Sequence, residues 1–350
     1  MDEADPICET CHIPVPASLL LAIALLAAPG CERAATRPAV GPSGEATVVT
    51  DLPPDSPAVA AAEAAIGREL VTTRPEPAFE LDRVRGDRFR SVRAWRNLIL
   101  VADLDQPGAT TERVIELLGS DLLPEFQAGR RFYAVYSDLW ARGQTVLVLA
   151  ARGEEPLAAA IRGQSDRLYE AFDQRVTRQI LALQYLAGEQ EELRRQLEKS
   201  YGWSIRIPVG YRIGEDPEAN FVRFFRREGG AHLVFVHWQD GVAALPSPET
   251  CLAIRARLIA RYYDGDTIDS TRTRSERADF LGRRALKLIG VWQNEKYTIG
   301  GPFRTYCFCE DGRFTMLDLA VFDPMGNKVG LLRQAEAIAL TYRDHRSHPR

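Results

Sequence analysis

Polar residues close both ends of Asn97-Leu-Ile-Leu-Val-Ala-Asp103, and everything between them is apolar. An unbroken apolar run of strand length has no solvent face, so it predicts a central strand covered on both sides. Glu45–Asp51 reads as another short strand. Phe132–Trp140 and Thr145–Ala151 read as two more, joined over Ala141-Arg-Gly-Gln144 with Gly143 in the turn. Ser56 caps a helix reaching Leu70, with Pro57 at its first position. Thr110 or Thr111 opens a helix that ends near Pro124. Thr72–Phe89, punctuated by Pro75 and Pro77, reads mostly as loop and edge strand.

The longest periodic stretch follows Pro156. Ile161, Leu168, Phe172, Val176, Ile180, Leu183, Leu186, Leu193 and Leu197 recur at spacings that share one helical face. The pattern predicts a long helix over 156–200, about 65 Å if unbroken, with Gly163 and Gly188 as the places for a kink or a stop. Its last turns, Glu189–Lys199, set acids ahead of bases, as a solvated face does.

Beyond 200 the period returns to two. Ser204–Ile213 reads as a strand interrupted by Pro208, and Phe221–Arg227 with His232–Trp238 as a hairpin over Glu228-Gly-Gly230. Ser247 and Pro248 start a helix to Tyr263. Thr271–Phe280 and Arg284–Trp292 are further strands, and Phe303–Cys309 with Arg313–Phe322 is a hairpin over Glu310-Asp-Gly312. Gly330–Tyr342 closes the chain as an amphipathic helix. The predicted class is α+β: two mixed sheet-and-helix halves, 44–155 and 201–343, joined by the long helix, with a tail over 344–350. Phe132–Tyr169 and Phe303–Tyr342 share the order strand, turn, strand, helix, the sign of a weak internal duplication.

The N-terminus has a different character. An apolar core from Ala17 to Ala28 leads into Pro29-Gly-Cys31, after which the chain turns polar. A core of this length suits a signal peptide of roughly 7–15 apolar residues and falls short of the about 20 needed to span a bilayer. A cysteine at the cleavage point is the bacterial lipoprotein pattern. It makes 1–30 a signal, Cys31 the lipidation site and 31–43 a tether. Met1–Pro16 carries Asp2, Glu3, Asp5 and Glu9 and no Lys or Arg, which fits a translation start near Ile13–Val15 better than one at Met1. Cys8 and Cys11 lie upstream of the signal core, and no further zinc ligands follow them at matching spacing.

Composition excludes more than it assigns. With 45% hydrophobic and 26% charged residues the chain is ordinary globular protein, and a net charge of −4 offers no basic field for nucleic acid. Downstream of Cys31 the cysteines are Cys251, Cys307 and Cys309, an odd number that no complete disulfide framework accommodates. His232 and His237 are five apart on one strand and face opposite sides. No nucleophile elbow, phosphate loop, metalloprotease helix or dinucleotide fingerprint occurs, so neither metal nor cofactor is expected. Asp264, Asp266 and Asp269 do not reproduce a calcium loop and read as a solvated turn. The distinctive segment is Gly290-Val-Trp292 followed by Gly300-Gly-Pro-Phe303. Two glycines ahead of a proline allow positive φ, and Trp292 with Gly300, Gly301, Pro302 and Phe303 forms the candidate binding surface.

At this segment the chain resembles the uncharacterised DUF4837 lipoprotein family of Bacteroidota and relatives. In order, the matching stretches are Gly41–Glu45 with Val48–Asp51, Glu76–Phe79, Arg96–Ile99, Ile207–Tyr211, Asn220–Val222, Gly300–Phe303 and Leu332–Glu336. They run from Gly41 to Tyr342. Where the family pattern carries a Glu and an Arg before the Gly of Gly290-Val-Trp292, this chain has Lys287, Leu288 and Ile289. The resemblance implies an envelope lipoprotein and supplies no activity. The expectation is a protein anchored to a cell-envelope membrane through Cys31, non-catalytic, that binds a ligand or an envelope protein partner or serves in the assembly of an envelope complex. The alternative is an envelope hydrolase assembled from dispersed acids such as Asp264, Asp266 and Glu295.

Overall fold

The structure, a computed structural model, describes residues 37–346. Cys31, the apolar segment before it, Cys8, Cys11 and His348 lie outside the described residues. The first sheet takes β1 (Glu45–Val49), β2 (Glu80–Val84), β3 (Asn97–Asp103), β4 (Tyr133–Ser137) and β5 (Thr145–Ala151) in the order β2-β1-β3-β5-β4. All its pairings are parallel except that of the edge strand β4. Parallel strands need covered faces, and every residue of β3 and β5 is buried. Ile99, Val101, Leu147 and Leu149 pack under one set of helices, while Leu98, Leu100, Val146 and Val148 pack on the other face.

The helices of this half are α1 (Pro57–Ile66), α2 (Ala109–Gln127), α3 (Glu154–Gly163) and α4 (Ser165–Gln184). The Ser56 hydroxyl accepts from the Val59 N–H, as expected of an N-cap. α1 stops at Ile66, earlier than expected, because Gly67 caps it and Glu69–Leu70 pairs with Glu76–Pro77. α2 breaks at Gly119 (φ 58°). Pro124 falls early in the helix that resumes after the break.

The predicted long helix is three. α3 ends at Gly163, α4 ends at Gln184, and α5 (Glu191–Tyr201) starts after Gly188, which has φ 106°. The periodicity survives because the pieces bury their apolar faces on different cores. Leu157, Ile161, Leu168, Phe172, Val176 and Ile180 face the first half, while Leu197 faces the second.

The second half is a seven-stranded antiparallel sheet. Its strands are β6 (Arg212–Asp216), β7 (Phe221–Arg226), β8 (Ala231–Asp240), β9 (Thr267–Phe280), β10 (Arg283–Asn294), β11 (Ile299–Glu310) and β12 (Arg313–Phe322), in the order β9-β10-β11-β12-β8-β7-β6. The strand expected over Ser204–Ile213 pairs at Trp203–Ser204 and again from Arg212, with a single bridge from Pro208 to Glu189 and a turn at Val209–Gly210 between. α6 (Pro248–Tyr262) covers one face and α7 (Lys328–Ala339) the other. The strand-turn-strand-helix order does recur. One instance ends a parallel sheet and the other sits inside an antiparallel one, so the halves are not copies in topology.

α7 is not amphipathic but buried almost all round. Leu332, Ala335 and Ile338 pack on the antiparallel sheet, and Ala337 enters the core of the first half. Its charges are therefore paired. Glu336 accepts from the Arg304 guanidinium and the Tyr306 hydroxyl, with Lys287 Nζ at 3.8 Å. Arg333, 1% exposed, donates from Nε to Asp173 of α4 at 2.7 Å and lies 3.9 Å over the Phe79 ring. Lys328 Nζ meets Glu76 at 3.0 Å. Burial pushes the Glu336 carboxyl up, but Arg304 and Lys287 outweigh it and hold it at about 2. Glu336→Ala leaves the Arg304 charge buried and unpaired, so it should lower unfolding free energy by ~3–5 kcal/mol in urea titration. A loss below ~1 kcal/mol would show that water reaches the cluster.

Candidate functional site

In β7 and the residue after it, Phe221-Val-Arg-Phe-Phe-Arg-Arg227, alternation sends Val222 and Phe224 to the α7 face and Phe221 to the α6 face. Arg223 follows Phe221, and its Nη1 donates to the Tyr262 carbonyl at 2.6 Å at the end of α6. Arg226 points the other way, with its guanidinium 5.2 Å from the Tyr211 ring and Nη2 3.4 Å from Gln334 Oε1. The last turn of α6 reaches the edge strand β6, where Arg261 Nη2 and the Tyr262 hydroxyl donate to Asp216 at 2.9 and 2.6 Å. Beside its last turn lies an open pocket of about 750 Å³.

Phe225, Leu233 and Phe322 line this pocket from three adjacent strands, Trp292 and Ile299 from the next two, and Tyr262 and Tyr263 from the helix end. The volume lies within the usual range of small-molecule sites, roughly 300–1,000 Å³. Arginines lie on the β7 side, and Asp264, Asp266, Asn294 and Tyr297 on the far side. The Tyr297 hydroxyl and Lys296 hold the Asp264 carboxyl below its usual range. Burial raises Asp266 against the opposing pull of Asn294, whose Nδ2 donates at 2.7 Å, and of Arg255. The buried Tyr263 hydroxyl has no hydrogen-bond partner among the described residues, and burial pushes it well up.

Beneath α6 the supporting layer is polar and fixed. Arg255, fully buried, donates to both oxygens of Asp318 at 2.7 and 3.2 Å, and the Thr305 hydroxyl donates to the same carboxylate at 2.5 Å. The guanidinium also stacks 3.4 Å from the Phe303 ring.

Of the predicted surface, Trp292 borders the pocket, with its indole Nε1 donating to the Val321 carbonyl at 3.3 Å. Phe303 lies wholly in the core, and Gly300, Gly301 and Pro302 are strand residues paired to β10. The glycines do not serve positive φ. A Cβ on Gly301 would stand 1.8 Å from the Val321 oxygen, so the requirement is close approach of two backbones. Pro302 costs little there, because pairing with β12 begins only at Phe303.

The acids of the hydrolase alternative are not gathered. Asp264 and Asp266 line the pocket, whereas Glu295 is exposed outside its lining. Asp269 binds its own Thr271 and Arg272, which hold it at about 2. Among the described residues no group of three or more His, Cys, Asp or Glu could hold a metal ion. Cys251 of α6 donates from Sγ to the Pro246 carbonyl at 3.8 Å, and burial pushes the thiol of Cys307 on β11 well up. Arg223, Phe225, Tyr262, Tyr263 and Tyr297 were not singled out by sequence reasoning. The alternation Arg223-Phe-Phe-Arg-Arg227 carried the only signal.

With the pocket placed on the antiparallel sheet, the comparisons divide the chain where the folds divide. Residues 190–341 belong to the DUF4837 family, a domain of unknown function. Residues 39–184 match another domain of unknown function, DUF8532. The stretches at Gly41–Glu45, Val48–Asp51, Glu76–Phe79 and Arg96–Ile99, read as part of one family, thus fall in the second. No curated protein matches the chain. Solved structures share little. One from Bacteroides thetaiotaomicron VPI-5482 has TM-score 0.27 at 11% identity, over 42% of this chain and 47% of that one, so the chain spans about half of its length. CyanoP, the PsbP of Synechocystis sp. PCC 6803, has TM-score 0.29 at 11% identity, over 41% and 86%. LpqN of Mycobacterium tuberculosis, described as involved in cell envelope biogenesis, has TM-score 0.26 at 13% identity, over 40% and 81%.

The two strand histidines face opposite cores. His232 Nδ1 meets the Tyr211 hydroxyl at 2.6 Å, and His237 Nδ1 meets the Asn220 carbonyl at 3.0 Å. Burial, helped by Arg226, lowers His232 from 6.5 to about 3. Between those values the unfolded chain binds the extra proton, so stability falls as pH drops from 6.5 toward 3, by up to ~1.4 kcal/mol per pH unit. Thermal melts of His232→Asn should show a shallower loss from pH 6.5 to 4.5 than the unsubstituted chain. Parallel slopes would mean that His232 already charges in the folded state.

Proposed function

We propose that this is a lipid-anchored cell-envelope protein whose antiparallel half is a non-catalytic binding module, with the pocket beside α6 as its ligand seat. The carrying observation is the pocket itself. It is aromatic on its floor and one wall, open to solvent, and built on a sheet locked on both faces by buried ion pairs. A rigid floor with an apolar lining favours capture of a preformed shape. The acids around it support binding over hydrolysis: Asp264 is neutralised by Lys296, and Asp266 stands without a second carboxylate poised to share a proton.

The anchor rests on the sequence. Lipid on Cys31 would tie the folded part to a membrane through the tether, within reach of envelope ligands and protein partners. A single acyl chain binds membranes only marginally, so firm attachment needs the multiple chains of a bacterial lipoprotein cysteine.

Each part has its own test. In fractionated cells, Cys31→Ala should move the protein from membrane to soluble fraction; retention in the membrane would remove the anchor from the proposal. The neutral apolar dye Nile red should bind the purified protein at one site with a rise in fluorescence. Leu233→Trp, which fills the pocket floor, should abolish that rise while leaving the thermal melt within a few degrees. Undiminished dye binding would move the ligand seat elsewhere.

A further inference from the structure

Three arginines and three aspartates line the pocket, and one of the arginines, Arg226, turns away to Gln334. Each of the acids is served from within the protein. Asp264 has Lys296 Nζ at 2.9 Å, Asp266 has Asn294 Nδ2 at 2.7 Å, and Asp323 accepts from the N–H groups of Met325 and Gly326 at 3.0 and 2.8 Å. The arginines are not served in this way. Arg223 spends one N–H on the Tyr262 carbonyl and otherwise lies 5.5 and 5.9 Å from the Tyr263 and Phe225 rings. Arg227, exposed at the strand end, has neither hydrogen bond nor ion pair among the described residues. Acids are not scarce, since 48 Asp and Glu stand against 44 Lys and Arg. Two guanidinium groups that border one pocket, while every acid there is already occupied, leave an excess of cationic donors facing the ligand.

The rest of the lining is apolar, and apolar side chains extend past the mouth. Met325 is 94% exposed and Tyr297 51% exposed at the rim. Arg223, Phe225 and Arg227 occupy alternate positions of one strand. Leu233, Phe322 and Trp292 continue the floor across the neighbouring strands. A head group beside β7 would therefore leave its attached chain lying over that floor.

We infer that the pocket takes an amphiphile with one anionic group, a carboxylate or a phosphate monoester, on an apolar body. This rests on the pocket being the ligand seat. The guanidinium fork matches either oxyanion through paired N–H donors, and a desolvated aromatic floor takes the chain.

The test uses the full-length Cys31→Ala chain and calorimetric titration with four probes below their micelle concentrations: dodecanoate, dodecyl phosphate, dodecanol and dodecyltrimethylammonium. The two anions should bind at least about tenfold more tightly than the neutral and cationic probes. Arg227→Gln, at an exposed position that leaves the fold intact, should weaken dodecanoate by about threefold or more, and Arg223→Gln with Arg227→Gln by about thirtyfold, with dodecanol unchanged. Raising salt from about 20 to about 300 mM should weaken only the anions. Dodecanol binding as tightly as dodecanoate, or anion binding indifferent to both arginine substitutions, overturns the assignment. If Leu233→Trp still blocks dodecanol in that case, the pocket stands and only the charge preference falls. If Leu233→Trp leaves dodecanoate binding intact, the pocket reading fails with it.

Discussion

A helix buried on nearly every side can carry charge only if its neighbours are built around that charge. α7 carries Lys328, Arg333 and Glu336 into the interior, and each meets a partner on a different element. Arg304 and Tyr306 of β11 fix its height over the antiparallel sheet, Asp173 fixes it against α4, and Glu76 fixes its first turn. Apolar contacts alone would tolerate a shift of the helix along its axis at modest cost. Ion pairs at this depth would not, because a displaced charge loses its partner without gaining water. The register of α7 therefore sets how the two halves sit.

The α6 side repeats the device with different residues. Arg255 and Asp318 pin the helix through a bidentate pair, and the Phe303 ring lies against the guanidinium. Gly290 makes room for that ring, since a Cβ there would stand 2.7 Å from Phe303. The Gly-Pro-Phe segment thus shapes the pocket from below: it seats Phe303, which seats Arg255, which seats the helix whose end forms a wall. Trp292 alone of the predicted surface borders the pocket.

The strands and most helices were legible because burial writes itself into period. β3 and β5 are continuous apolar runs because both their faces are covered, and β7 and β8 alternate between two cores. Four features were not legible. The long helix divides because its apolar positions serve separate cores, which spacing along one chain cannot reveal. α7 looked amphipathic because Arg333 and Glu336 are polar letters, and their burial depends on Asp173 and Arg304, distant in sequence. The pocket draws on β7, β8, β10, β11, β12 and the end of α6, so no local motif announces it. The double glycine was read as a turn signal when its constraint is a neighbouring carbonyl, which only the paired strand supplies.

The contact between Lys328 and Glu76 spans 252 residues. α7 follows the strands of both sheets along the chain and leaves the ribosome after them, yet it contributes to the cores of both halves. Until it arrives, the antiparallel sheet presents an unfilled apolar face, and closing so long a loop makes a slow step. The chain can therefore collapse early but become native only late. Any machinery that must handle it unfolded is given that interval by the position of one helix after both sheets.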